Sequence, residues 1–194
     1  MDFNTCASHL ADSASTALGV VISKFRSFRN IGFSTFSKLF DAMVVPVMDY
    51  GSAIWGFKDF PQCNRIQNRA MCYYLGVHSR APIAGMQGDI AWFLPKYRRY
   101  INMLRLWNRF ISLSDDRLTK QIFIWEHVLN QDNNGSSWTN EVRYILQLIN
   151  LQDLFSTRSP IDLHVARNHL KIIMEKEWQS NVLSKPKLRS YFTI

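Results

Sequence analysis

Apolar residues recur at every third or fourth position along most of this chain, and this spacing is what most limits the folds it can adopt. In residues 5–28, one helix face carries Leu10, Ala14, Leu18, Val21, Ile22 and Phe25. No run longer than a few residues alternates apolar and polar side chains as a half-buried strand does. The sequence therefore predicts an all-α fold, an irregular multi-helix bundle with strand essentially absent.

The segment "VVPVMDYGSAIWGF", residues 44–57, interrupts the regular helical spacing. Proline cannot donate a backbone hydrogen bond and clashes with the preceding turn, so a helix entering from Ser34 is expected to end or kink before Pro46. Gly51 and Ser52 allow another backbone to approach closely. The segment predicts a Pro-kinked, mostly buried helical hairpin that ends near Gly56.

Proline and glycine mark the other helix ends. Pro61 and Gly76 bound one predicted helix, and Pro95 begins the longest one. The sequence "DNNGS" that follows residue 131 is the loop with the strongest helix-breaking composition. We predict a basic helical domain over residues 1–115 and a helical connector over 116–194, with a second candidate boundary at 131–137.

The net charge of +8 is unevenly distributed along the 194 residues. Residues 1–110 hold 13 Lys and Arg against 6 Asp and Glu, whereas residues 111–194 hold 10 against 9. A polyanion such as nucleic acid is the partner that this bias suggests, although a basic surface can also serve only solubility. With 47% hydrophobic residues the chain has enough apolar material for a core.

The cysteine spacing and the length of the apolar segments indicate where in the cell the protein is located. Cys6, Cys63 and Cys72 form no Cys-x-x-Cys pair, which favours free thiols in a reducing environment over a structural zinc. No apolar segment reaches the roughly 18 residues that a membrane span needs, and residues 1–17 lack the basic start of a signal peptide. An intracellular protein, cytoplasmic or nuclear, with no membrane, metal or cofactor, is expected.

No group of residues in this sequence forms a clear catalytic or metal-binding motif. Asp115 and Asp116 resemble a metal-binding pair, but between two helices a capping role is favoured. His164 and His169 are five positions apart, so they cannot share a metal as an i, i+4 pair would. No catalytic residue is predicted.

The arginines of residues 95–110 form the most informative pattern. At 100° per residue, Arg98, Asn102, Arg105 and Arg109 fall at about 0°, 40°, 340° and 20°. Apolar side chains occupy the opposite side, and Arg65 and Arg69 repeat an i, i+4 arrangement. Arginine stripes are often only solvated faces. This one has no acidic neighbour at i±4, which favours contacts with phosphates.

Four segments resemble a known family: "SASTALGVVISKF", "GFSTFSKLFDAMVVPVMDYGSAIWGF", "RIQNRAMCYYLGVH" and "GDIAWFLPKYRRYINMLRLWNRF". Together they are similar to the region after the palm in LINE-type, non-LTR retrotransposon reverse transcriptases. The resemblance covers roughly residues 10–130, and more loosely the last helix and "KPKLRSY". It implies that the bent hairpin is thumb-like and that its helices lie against a template–primer duplex.

The resemblance implies that several segments lie near nucleic acid, and we infer that seven cations in these segments contact it. They are Lys24, Arg65, Arg69, Arg98, Arg99, Arg105 and Arg109. The family's Tyr-x-Asp-Asp turn, which holds the catalytic metals, has no counterpart here, and neither has its cysteine-rich end. The chain therefore resembles a truncated or separately encoded thumb and connector, without polymerase activity of its own.

The sequence is also compatible with two other functions. A thumb normally packs on a palm, so an isolated thumb is expected to expose an apolar patch. That patch would include Met43, Val47, Tyr50 and Trp55, and its partner would be a reverse transcriptase palm or a second copy of the chain. The other interpretation is that the chain is a degenerate retrotransposon fragment without a selected function.

Overall fold

The computed structural model describes residues 3–27, 32–130, 137–185 and 188. The predicted all-α fold is confirmed, because no strand occurs among these residues. Helices α1 to α11 span, in chain order, Asn4–Ser27, Phe33–Leu39, Val45–Met48, Ser52–Trp55, Pro61–Leu75, Ile83–Ile90, Pro95–Ser112, Leu118–Leu129, Trp138–Leu148, Asp153–Ser156 and Leu163–Leu183. Over the same described ranges, no helix combines the length and the apolar composition that crossing a bilayer requires.

The helices form two compact units, each assembled from separate stretches of the chain. The first unit comprises Met1–Tyr50, Asp59–Pro95 and Met174–Ile194, and the second comprises Gly51–Lys58 and Lys96–Ile173. The units do not follow the predicted division between residues 115 and 116, since tertiary contacts group stretches that are distant in sequence. Of the second candidate boundary, 131–137, all but Ser137 lies outside the described residues.

The core of the first unit is built around α1. This helix packs against α5 and against the segment of residues 40–48. Its buried face carries Ala7, Ala11, Ala14, Leu18 and Val21, which are spaced alternately by four and three residues. Because three of these five residues are alanines, neighbouring backbones can approach α1 closely over its first half.

The predicted kink takes the form of a π-helical turn. Helix α2 continues directly into this turn, Phe40–Val44, and Pro46 lies in the first turn of α3. A π turn shifts the backbone hydrogen-bond register just before the residue that cannot donate. Ser34 does not cap α2, since Gly32 occupies the N-cap position. Gly51, which precedes α4, has a left-handed φ of 64° that glycine adopts without a Cβ clash.

The core of the second unit is built around Trp107 of α7. The Trp107 ring stacks on Phe155 at 5.5 Å between centroids and meets Phe123 edge-on at 5.1 Å. Its Nε1 donates a hydrogen bond to the carbonyl of Ser159 at 3.2 Å. The indole is fully buried and its polar atom is satisfied, so it anchors α7, α8 and α10 to one another.

A histidine completes this aromatic core. His127 is fully buried, and its Nε2 lies 2.9 Å from the Phe155 carbonyl oxygen, so Nε2 carries the proton and donates. Burial lowers the pKa of His127; the hydrogen bond to Phe155 opposes this effect, and the positive charges of Arg158 and Arg143 add to it. His127 is therefore a neutral core residue rather than a surface base.

Candidate nucleic-acid interface

Helix α7 carries Arg98, Arg105 and Arg109 on the side opposite most of its apolar residues, as their spacing predicts. Its buried side carries Tyr97, Tyr100, Ile101, Met103, Leu104 and Trp107. Arg105 and Arg109 are exposed, and Arg98 is half-buried. Because the helix is amphipathic over its whole length, packing of one side holds the guanidinium groups on the other. We call Arg98, Arg105 and Arg109 the α7 stripe.

Asn102 links the α7 stripe to the short helix α4. Its Nδ2 donates a hydrogen bond to Ser52 Oγ at 2.9 Å, and its Oδ1 accepts one from Arg105 Nη1 at 2.9 Å. Ser52 is itself buried. The contact restricts the rotamers of Arg105, which lowers the entropy that an anion contact would cost.

Arg99 does not belong to the exposed surface. Its side chain has 0% relative exposure, and its Nη2 donates a hydrogen bond to the Lys58 carbonyl at 3.2 Å. Its guanidinium lies 5.7 Å from the centroid of the Trp55 ring. The prediction that Arg99 contacts nucleic acid is corrected, because position 99 lies about 100° around the helix from Arg98, toward the packed side.

The predicted apolar patch is also corrected. Trp55 is only 4% exposed, so it belongs to the core of the second unit. In the first unit, Tyr50 is 75% exposed, Met43 is exposed and Val47 is half-buried. One of the groups that lie over the Trp55 ring is the Arg99 guanidinium, which is far away in the sequence.

The predicted cations of the first unit lie on α1 and α5. Lys24, Arg65 and Arg69 are all exposed. Arg69 Nη1 donates a hydrogen bond to Ser15 Oγ at 2.8 Å, which ties α5 to α1. Exposed cations of this kind are typical of a solvated surface, and a role of these three residues in binding stays a prediction.

One cation that the sequence reasoning missed lies close to Arg69. Arg26, in the last turn of α1, places its guanidinium carbon 5.6 Å from the centroid of the Tyr73 ring. Arg26 and Arg69 both line a groove of about 570 Å³. In the sequence, the only sign that Arg26 could belong to this surface is its position near the end of a helix. The buried face of that helix is the same along its whole length.

The acidic and histidine pairs form no metal centre. Among the described residues, no group of three or more His, Cys, Asp or Glu side chains could hold a metal ion. The N-cap of α8 is Arg117, so neither Asp115 nor Asp116 takes the capping position that was favoured for them. His169 Nδ1 lies 2.8 Å from the Ile149 carbonyl oxygen, and this contact accounts for its orientation.

Comparison with known proteins does not assign this chain. It matches no protein-family model, no curated protein and no solved structure.

Proposed function

We propose that this chain is a retroelement-derived helical module that binds the backbone of nucleic acid without sequence preference. Its segments resemble the thumb region of non-LTR reverse transcriptases, and duplex DNA or an RNA–DNA hybrid is the proposed ligand. The observation that carries the proposal is the α7 stripe, with Arg105 and Arg109 exposed opposite a buried aromatic face.

The chemistry of the α7 stripe suits phosphates better than bases. Guanidinium groups stay charged at any physiological pH and donate two parallel hydrogen bonds to an anion. Arg105 and Arg109, which are exposed one turn apart on the same line of the helix, can contact neighbouring backbone phosphates. Such contacts position a protein on a duplex without reading its sequence, so the module is proposed to bind rather than to catalyse.

Salt dependence tests this proposal directly. Replacing both Arg105 and Arg109 by glutamine is expected to weaken duplex binding about tenfold or more at low salt, because two charge-assisted contacts are lost. The slope of log affinity against log salt should also fall by roughly two units, about one for each phosphate no longer neutralised. Fluorescence anisotropy of labelled DNA duplex and RNA–DNA hybrid at several salt concentrations measures both quantities.

A control variant that loses the same net charge outside α7 shows whether weaker binding comes from the α7 stripe or from the charge of the whole protein. Arg117 and Lys176 are exposed and lie outside α7, so replacing both by glutamine removes the same net charge. This control should keep the wild-type slope within experimental error. An unchanged slope in the α7 variant, or equal losses in both variants, would reject the α7 stripe as the binding surface.

A specific observation favours a second function, self-association. Helix α8 buries Phe123 and His127 on one side, while its other side exposes Leu118, Ile122, Trp125 and Leu129. These four residues follow a 4-3-4 spacing, which is the seam pattern of a two-helix coiled coil. A second copy of α8 would complement this seam.

Sedimentation velocity over a range of protein concentrations tests self-association. Wild type is expected to dimerise as its concentration rises, and Trp125→Lys is expected to stay monomeric because it places a charge in the seam. Tyr144→Lys, at another exposed position of the second unit, serves as the control. A wild type that is monomeric at every concentration excludes this second function.

A further inference from the structure

The groove of the first unit lies between the C-terminal part of α1 and the C-terminal part of α5. Its volume of about 570 Å³ falls in the range of small-molecule sites. Its charged residues are Arg26 and Arg69, and its smaller polar side chains include Ser23 and Ser79. Ile22 and Val77 supply apolar wall. The groove thus combines two cations and hydroxyl groups with apolar surface.

Both guanidinium groups of the groove are held by neighbours other than carboxylates. Arg26 lies over the Tyr73 ring, and Arg69 is bonded to Ser15 Oγ. Helix α5 contains no Asp or Glu, and α1 contains only Asp12. Asp12 precedes Arg26 by about 21 Å along the helix at 1.5 Å per residue. Arg26 is therefore far from the one carboxylate of these two helices, whereas Arg69 is bonded to Ser15, about one turn from Asp12.

We propose that this groove binds the phosphomonoester of a nucleotide. A phosphomonoester carries about −1.5 to −2 charges at neutral pH, which two guanidinium groups balance. Inorganic phosphate would fill little of the groove, whereas a nucleotide can also place its base against Ile22, Tyr73 and Val77. The choice of a nucleotide over other phosphomonoesters rests on the proposed function.

The nucleotide phosphate can come from a free nucleotide or from the 5′ end of a strand. Both present the same chemistry to Arg26 and Arg69. Neither needs the α7 stripe, which belongs to the second unit. Groove binding can therefore be measured separately from duplex binding.

Cys72 provides a reporter in the wall of the groove. It lines the groove, is half-buried, and its sulfur lies 3.3 Å from the sulfur of Met86. Cys63 is fully buried, and Cys6 is exposed on the first turns of α1. In the Cys6→Ser variant, alkylation of the folded protein should therefore occur mainly at Cys72.

The experiment follows alkylation of Cys72 by iodoacetamide in Cys6→Ser protein, resolved by peptide mass spectrometry. The probes are AMP, adenosine, inorganic phosphate and a short single strand with or without a 5′-phosphate. AMP at ten times its dissociation constant should slow the reaction about tenfold, because the occupied fraction shields the thiol. The strand with a 5′-phosphate should act in the same way if the groove also accepts strand ends, and adenosine should not.

Three variants test which residues are needed for the protection of Cys72. Arg26→Gln and Arg69→Gln should each remove most of the protection. Lys38→Gln, at an exposed position of α2 in the same unit and outside the groove lining, should keep it. Each variant is first checked for wild-type circular dichroism, so that a change in folding is not mistaken for a change in binding.

The outcomes separate this inference from the proposed function. Protection by AMP alone assigns a free nucleotide, and protection by the phosphorylated strand assigns a strand end. Failure of both probes at millimolar concentration overturns the inference, as does equal protection by adenosine or by inorganic phosphate. Duplex binding measured by anisotropy on the same protein shows independently whether the α7 stripe functions.

Discussion

Replacing Trp107 by alanine is expected to lower the free energy of unfolding of the second unit by about 3–5 kcal/mol. The substitution removes a fully buried indole, its stacking on Phe155 and its edge contact with Phe123. It also leaves the Ser159 carbonyl without the donor that lies 3.2 Å away in the wild type. Since most small domains are stable by only about 5–15 kcal/mol, the loss approaches the whole stability of such a unit.

Urea denaturation followed by circular dichroism measures this loss. Trp107→Phe should cost less, because it keeps an aromatic ring and loses mainly volume and one hydrogen bond. Tyr144→Ala provides the control, since Tyr144 is 51% exposed in the same unit and its removal should change the free energy of unfolding by under about 0.5 kcal/mol. Similar losses for Trp107→Ala and Tyr144→Ala would contradict the placement of Trp107 at the centre of the core.

Replacing Gly56 by alanine is expected to cost about 1–3 kcal/mol, although the change adds one methyl group. A Cβ at this position would lie 2.4 Å from the Ser52 carbonyl oxygen and 2.7 Å from Arg99 Cβ. The first is backbone at the start of α4 and the second is the root of a buried side chain, so neither can move cheaply. Gly56 is therefore required by close packing and not by a left-handed φ, since its φ is −77°.

Gly19→Ala is the matched control for Gly56→Ala. Gly19 lies inside α1, and a Cβ there would meet no heavy atom within 4 Å. Alanine at this position should be neutral or stabilise the protein by about 0.5–1 kcal/mol, because it lowers the conformational entropy of the unfolded chain. Thermal melting of both variants gives the comparison. If Gly56→Ala melts at or above the wild-type temperature, Arg99 does not pack against α4 as described.

The link between Gly56 and Arg99 also bears on the α7 stripe. Arg99 is held by the Lys58 carbonyl, and Asn102 by Ser52 Oγ, so the segment of residues 52–58 fixes the position of the first half of α7. Arg105 is in turn bonded to Asn102. We therefore expect a displacement at Gly56 to shift Arg105 through these side-chain contacts.

The positions of most helices and the apolar side of α7 can be predicted from the amino-acid sequence alone. These are local properties, since the spacing of apolar residues, prolines and glycines acts within one or two turns. The helix that begins at Pro61 and the left-handed Gly76 that ends it follow directly from such signals. So does Ser137, whose side chain accepts a hydrogen bond from the Asn140 backbone at the start of α9.

Which polar side chains are buried and which cations lie together depends on contacts between distant parts of the chain. From the sequence alone, Arg99 and Trp55 are predicted to be surface residues. Their burial depends on contacts between distant positions, such as the Arg99 hydrogen bond to Lys58, which spans 41 positions. Arg69 and Ser15 are 54 positions apart, so no local pattern could place Arg69 at α1 beside the groove that Arg26 also lines. The physical reason is that burial of a charge depends on partners from other elements, which short-range periodicity does not encode.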